Sequence, residues 1–253
     1  MDGYKRPCWI EFVEELPKTA TSKIQASSFA LQLDILIMDL QTYLNSDNWL
    51  GSYYELAIEL QDSPNDSNLF RALKSLWGHP SLSGGWPRKE DYGQSATNFS
   101  GEVDKIESFF HMYGLVTLPT SNIEFGCLTV VVREEIGKDH GSDWLNLCFP
   151  TGMLEQAFSV EYPLDCKSND VWIDQVDALL KEIANSIYEQ VKFELAIIGE
   201  EVSGYVHKAD LPFADNESGY LITPPVWNSI WASGSKHEQP EYMQLSSGLK
   251  QVL

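Results

Sequence analysis

The sequence predicts an α+β protein, with a mostly antiparallel sheet and helices packed on one face. Three observations predict it. Apolar residues alternate with polar ones in runs too short for helices. Three such runs follow one another with only short turns between them. Two longer segments carry apolar residues at helical spacing.

The first of those segments is Ile24–Leu44, where Phe29, Leu33, Leu36, Ile37, Leu40 and Leu44 form one stripe that Asn45 ends. Trp49–Leu60 then alternates. Tyr54, Leu56, Ile58 and Leu60 share one face and Glu55 and Glu59 take the other, as in a strand with one buried and one wet side. A turn follows, with Asp66 or Ser67 as N-cap of a short helix, Leu69–Trp77, closed by Gly78. Residues 78–104 are rich in Gly, Pro and Ser and read as a long surface loop. His111–Pro119, Phe125–Glu135 and Asp143–Pro150 are the three consecutive strands, joined through Thr120–Ile123 and the segment Gly137–Ser142. A brief helical turn starts at Thr151. The longest helix is Val171–Gln190, started by Asp170, with Val176, Leu179, Leu180, Ile183 and Ile187 on its stripe. Val191–Glu201 is a further strand, and a short one is expected around Tyr220. The motif Glu55-Leu-Ala-Ile echoes in Glu194-Leu-Ala-Ile, too briefly to establish a duplication. The organisation expected is an N-terminal segment and helix (1–48), one α+β domain (49–231) and a polar C-terminal tail (232–253).

Charge restricts the function classes. The 253 residues carry 17 Lys+Arg against 37 Asp+Glu, a formal net charge of −20. Such a surface repels polyanions, so nucleic acid is not an expected partner, whereas a basic protein would be drawn to it. Glu11, Glu14 and Glu15 interrupt any secretory apolar core. The most apolar window, Phe29–Leu40, holds Asp34 and Asp39 and is too short to span a bilayer. The expected location is the cytoplasm, with Cys8, Cys127, Cys148 and Cys166 reduced and buried.

Catalytic spacings are missing. The chain has no glycine-rich phosphate loop, no H-E-x-x-H and no G-x-S-x-G, and its five histidines stand apart from one another. Ser233-Gly-Ser-Lys236 lacks the companion motifs of its class. The Asp62–Asn68 stretch lacks the Gly and closing Glu of a calcium loop. No cofactor or metal is expected. Two acidic clusters remain: Glu134, Glu135, Asp139 and Asp143 about one turn, and Glu200 with Glu201 after a strand. Solvated loops are the plain explanation, and a negative docking patch the sharper one. Trp86, Trp227 and Trp231 lie in Gly/Pro-rich stretches. Trp227 and Trp231 are four apart, so one helical turn would present both rings together as anchors.

The segments WLGSYYELAIEL, LFRALKSLWGHPSLSGGW, HMYGLVTLP, GCLTVVVREE and DWLNLCFPTGMLE, in that order, resemble the immunity proteins of bacterial polymorphic toxin and type VI secretion systems. The nearest group is the one paired with restriction-endonuclease-like (REase-5 type) toxins. The likeness covers residues 49–200. It implies an α+β protein without enzymatic activity that binds and neutralises a cognate toxin, and it supplies no catalytic residues to transfer. The expected partner-binding residues are Glu134, Glu135, Asp139, Asp143, Glu200, Glu201, Trp227 and Trp231. Two alternatives stand beside this reading: a hydrolase using Cys148 or the Glu134/Glu135 cluster, and an acidic adaptor for some other basic protein.

Overall fold

Four α-helices and nine strands succeed one another in the computed structural model, which describes residues 38–60, 65–93, 109–136, 139–202, 219–222, 242–244 and 249–252. All belong to the unit Leu36–Leu253. The order is α1 (Leu40–Leu44), β1 (Tyr53–Glu59), α2 (Asp66–Trp77), β2 (Leu82–Trp86), β3 (Phe109–Thr117), β4 (Glu124–Ile136), β5 (Asp139–Pro150), α3 (Thr151–Ala157), α4 (Asp170–Gln190), β6 (Leu195–Glu200), β7 (Gly219–Ile222), β8 (Tyr242–Gln244) and β9 (Lys250–Val252). The strands make one sheet, β2-β3-β4-β5-β1-β6-β7-β9-β8, with every pairing antiparallel. The expected α+β class is the one observed. The meander is β3-β4-β5, and the two echoing motifs are neighbours, with Leu56 opposite Ile198 and Glu59 opposite Leu195.

The alternation in β1 builds the main core. Tyr54, Leu56 and Ile58 lie on the same face as Leu145, Leu147 and Phe149 of β5. Leu69, Leu73 and Leu76 of α2 join the same core, with Val176, Leu180, Ile183 and Ile187 of α4. The two helices touch through Ser75 Oγ, which donates to the Ser186 carbonyl at 3.1 Å. Burial of this apolar surface is the main term holding the layers together.

Five sequence expectations change. The helix expected over Ile24–Leu44 is interrupted at Asp39, whose extended backbone caps α1, and residues 24–37 lie outside the described residues. Glu55 and Glu59 are each only 2 % exposed. Strand β1 is interior to the sheet, and its second face is buried too, where Ala57 clusters with Trp144, Leu195, Ile197 and Tyr220 of the neighbouring strands. Buried carboxylates need donors, and Cys148 Sγ and Ser142 Oγ supply them, at 3.1 Å to Glu55 and 2.8 Å to Glu59. The cap of α2 is Asn65, not Asp66 or Ser67. Asn65 has the extended backbone a cap requires, and its Oδ1 accepts the Asn68 N–H at 3.0 Å.

The segment read as a long loop contains β2. Gly84 and Gly85 have φ of +110° and +78°, and a Cβ on Gly84 would come within 2.8 Å of Gly114 Cα. Their freedom to adopt positive φ lets an edge strand bulge where apolar alternation gives no sign of one. Trp86 on that strand is 5 % exposed and packs edge-to-face on Tyr43, so it is core rather than a surface anchor. Finally, the polar tail contains β8 and β9, which extend the sheet from β7.

Candidate partner-binding surface

The polar end of β6 and the start of α4 converge on one cleft. Asn169 shapes its wall. Its buried side chain donates to the carbonyls of Glu161 (2.7 Å) and Leu164 (2.9 Å), and accepts from Glu161 N–H (3.0 Å) and Trp172 Nε1 (3.1 Å). One amide with all its hydrogen-bonding capacity used therefore folds 161–168 back against the first turn of α4. Trp172 then stacks on Phe158 with centroids 5.5 Å apart and meets Tyr54 edge-on at 6.0 Å.

Between this wall and the ends of β1 and β6 lies a cavity of about 580 Å³. Tyr54, Pro163, Leu164, Ile173 and Ile198 give it an apolar floor, and Asp165, Asp170, Asp177 and Glu200 give it acidic walls. Asp177 is compensated: Tyr54 Oη donates to its Oδ1 at 2.6 Å, and Lys181 Nζ stands 3.6 Å from Oδ2. Burial, followed by the Asp177 charge, pushes the Tyr54 hydroxyl far up, so it serves only as a donor. Glu200 accepts from Ser52 Oγ at 2.7 Å. Asp165, Asp170 and Glu200 have no ion-pair partner among the described residues.

Exposed apolar side chains sit beside this cleft. Leu50 is 63 %, Tyr162 54 % and Val171 74 % exposed. Val171 follows the cleft residue Asp170 in α4. Tyr162 donates to Glu155 at 2.8 Å and feels the Glu200 charge, while the Leu50 carbonyl accepts from Gly152 N–H at 3.2 Å at the start of α3. Apolar side chains flanked by unneutralised carboxylates give the composition of a protein-docking surface.

The expected residues fare unequally. Glu200 and Glu201 are both exposed, and Glu200 lines the cleft. Glu201 closes β6 with φ +48°, and its N–H donates to the Tyr53 carbonyl at 2.8 Å. Glu134 and Glu135 lie on β4 and Asp139 on β5, beside the two-residue connection 137–138, and their side chains lie outside the described set.

Asp143 is a correction. Expected at the start of a strand and beside a turn, it lies inside β5, which begins at Asp139, and is 2 % exposed, because the β4–β5 hairpin runs further than the polar sequence suggests. Its Oδ1 is 3.4 Å from Arg133 Nε, and its Oδ2 accepts the Asn65 N–H at 2.9 Å. Arg133 continues to Asp66 at the start of α2. Asp143 therefore ties helix to sheet and presents nothing to a partner. Trp227 and Trp231 lie outside the described residues. Sequence spacing singles out none of the other cleft carboxylates, Asp165, Asp170 and Asp177, as a site residue. The only sequence signal for Asp177 is its place off the apolar stripe of α4.

The thiols of Cys127 and Cys148 are poor nucleophiles. Burial and then the Glu55 carboxylate push Cys148 well up, and burial likewise raises Cys127. A hydrolase built on Cys148 thus lacks the thiolate it needs. Among the described residues no cluster of three or more His, Cys, Asp or Glu could hold a metal ion, and no helix is long and apolar enough to cross a membrane. Fold and surface together define an α+β protein with an acidic, partly apolar cleft at one end of an antiparallel sheet. Comparison with protein-family models, with curated proteins and with solved structures finds no match for the chain.

Proposed function

We propose that this protein is an immunity protein. It acts in the cytoplasm, binds a cognate toxin of basic surface, a nuclease effector, and neutralises it without any turnover of its own. The observation that carries the reading is the uncompensated negative charge around the cleft, on a chain of net charge −20. A nuclease must hold phosphates, so its cleft is cationic. An acidic protein with exposed apolar anchors competes for that surface, with fast, salt-sensitive association. The resemblance of residues 49–200 to immunity proteins of polymorphic toxin systems points the same way.

The test is co-expression with a candidate nuclease toxin, sought first among the neighbouring genes, in a host that lacks both. Growth is expected to be rescued, and the two purified proteins should form a complex whose association slows as salt rises. Growth arrest in the presence of folded protein would remove the proposal.

A further inference from the structure

We propose that the cleft between the β6 end and the start of α4 receives an arginine side chain from a cationic segment of the protein partner, with Tyr162 and Leu50 as the apolar border of the same docking surface. This inference rests on the function proposed above and names the place and the chemistry of contact.

Four observations converge. The cleft, about 580 Å³, exceeds what one side chain fills, so it has room for a guanidinium together with the backbone that carries it. Its carboxylates are not already neutralised. Lys181 pairs with Asp177, but Asp165, Asp170 and Glu200 face no cation among the described residues. The floor is apolar, formed by Leu164, Ile173 and Ile198, and suits the methylene stem of a long basic side chain. The border carries exposed apolar surface: Tyr162 and Val171, two of the five exposed large hydrophobic residues among those described, adjoin the cleft residues Pro163 and Asp170 in the chain, and Leu50 lies two residues before Ser52, which donates to Glu200.

Arginine fits better than lysine. Its planar fork pairs with a carboxylate through two parallel hydrogen bonds, and it stacks on an aromatic face. The Tyr162 ring, half exposed and within the field of Glu200, provides that face. A neutral ligand would leave three carboxylates unpaired in a partly enclosed site, and an anionic one would be repelled. A small cation alone would leave the apolar border uncovered. The combination selects a protein segment that brings both charge and apolar contact.

The experiment uses the full chain and two probes. The first is a capped octapeptide of alternating glycine and arginine, followed by backbone amide shifts. Perturbations should concentrate at Asp165, Ile173, Gly199 and Glu200, and the lysine counterpart should bind several-fold more weakly. The variant Asp165→Arg provides the cleft with its own guanidinium and should abolish these shifts. Asp165 is exposed, so the fold should tolerate the change, as thermal unfolding will verify. The reversal Glu189→Arg, at the far end of α4, makes the same charge change about 18 Å along the helix from the last cleft residue, Asp177, and should leave the shifts in place.

The second probe is the toxin itself. Asp165→Arg should weaken its binding by about tenfold or more, and Glu189→Arg by about twofold or less. Peptide shifts spread evenly over the acidic surface would overturn the proposal, as would equal losses for the two reversals. If the parent protein fails to bind or neutralise the toxin at all, the function proposed above falls. The peptide arm would still decide whether the cleft selects arginine.

Discussion

Tyr54 Oη donates to Asp177 Oδ1 across 2.6 Å, joining the sheet's interior strand β1 to its longest helix α4. The bond lies in the cleft lining, and Tyr54 itself is 8 % exposed, so little water replaces a lost partner. Tyr54→Phe keeps the ring and its contact with Trp172 and removes only the hydroxyl. We expect a loss of about 1.5–3 kcal/mol, the range for a hydrogen bond to a charged acceptor. Urea unfolding of the variant measures it, and a change under about 0.5 kcal/mol would mean that Lys181 alone satisfies Asp177.

Asp143 gives the opposite kind of prediction from the one its sequence context suggests. As a solvated turn residue it would be dispensable for folding. Buried between Arg133 and the Asn65 N–H, it holds the entry of α2 onto β4 and β5. Asp143→Ala removes the charge facing Arg133 Nε and strands the Asn65 N–H, while Arg133 keeps its pair with Asp66, so about 1–3 kcal/mol of stability should be lost. A variant that unfolds at the same urea concentration as the parent would return Asp143 to the surface.

These two residues mark what could and could not be read from sequence. Most elements with a period were legible: β1, β3 to β5, α2 and α4 follow their apolar spacing closely, whereas the stripe expected as one helix over Ile24–Leu44 is interrupted at Asp39. Elements without one were not. β2 owes its form to Gly84 and Gly85, and β8 and β9 are three-residue strands whose pairing depends on β7 rather than on their own composition. The same limit hid the burial of Glu55 and Glu59, since alternation reports that two faces differ, not that both are covered. The cleft joins residues 54, 163–177 and 198–200 from separate parts of the chain. Only Glu200 stood out beforehand, because a carboxylate pair after a strand is visible locally.

His79 makes stability depend on pH. It is 6 % exposed. Its Nδ1 accepts the Ser81 N–H at 3.3 Å, and its Nε2 is 3.7 Å from Glu182 Oε1. Burial lowers its pKa from 6.5, and Glu182, itself largely exposed, offsets only part of that. The folded state therefore binds the proton less readily than the unfolded chain. The contribution is complete above about pH 6.5, is lost as pH falls towards the folded value, and levels off below it. Replacing His79 with Gln should flatten the stability profile as pH falls below about 6.5. Parallel profiles for parent and variant across that window would show that His79 does not titrate there.

Asn169 connects folding to the docking surface. It is fully buried and makes four hydrogen bonds, three of them holding the 161–164 backbone against α4. Asn169→Ala strands two carbonyls, one N–H and the Trp172 indole. Leaving buried polar groups unpaired costs about 1–3 kcal/mol each, partly recovered where water reaches the segment. Asn169→Asp tests the same point more gently, because the carboxylate can still accept from Glu161 N–H and Trp172 Nε1 but donates to neither carbonyl. We expect both variants to lose stability, the alanine one more. Both should also weaken peptide and toxin binding out of proportion to the charge they change, since Pro163, Leu164 and Asp165 would no longer be held as a wall. Undiminished binding by a destabilised but folded Asn169→Ala protein would separate the wall from the docking surface and leave the walls formed by Asp170 and Glu200 as the contact.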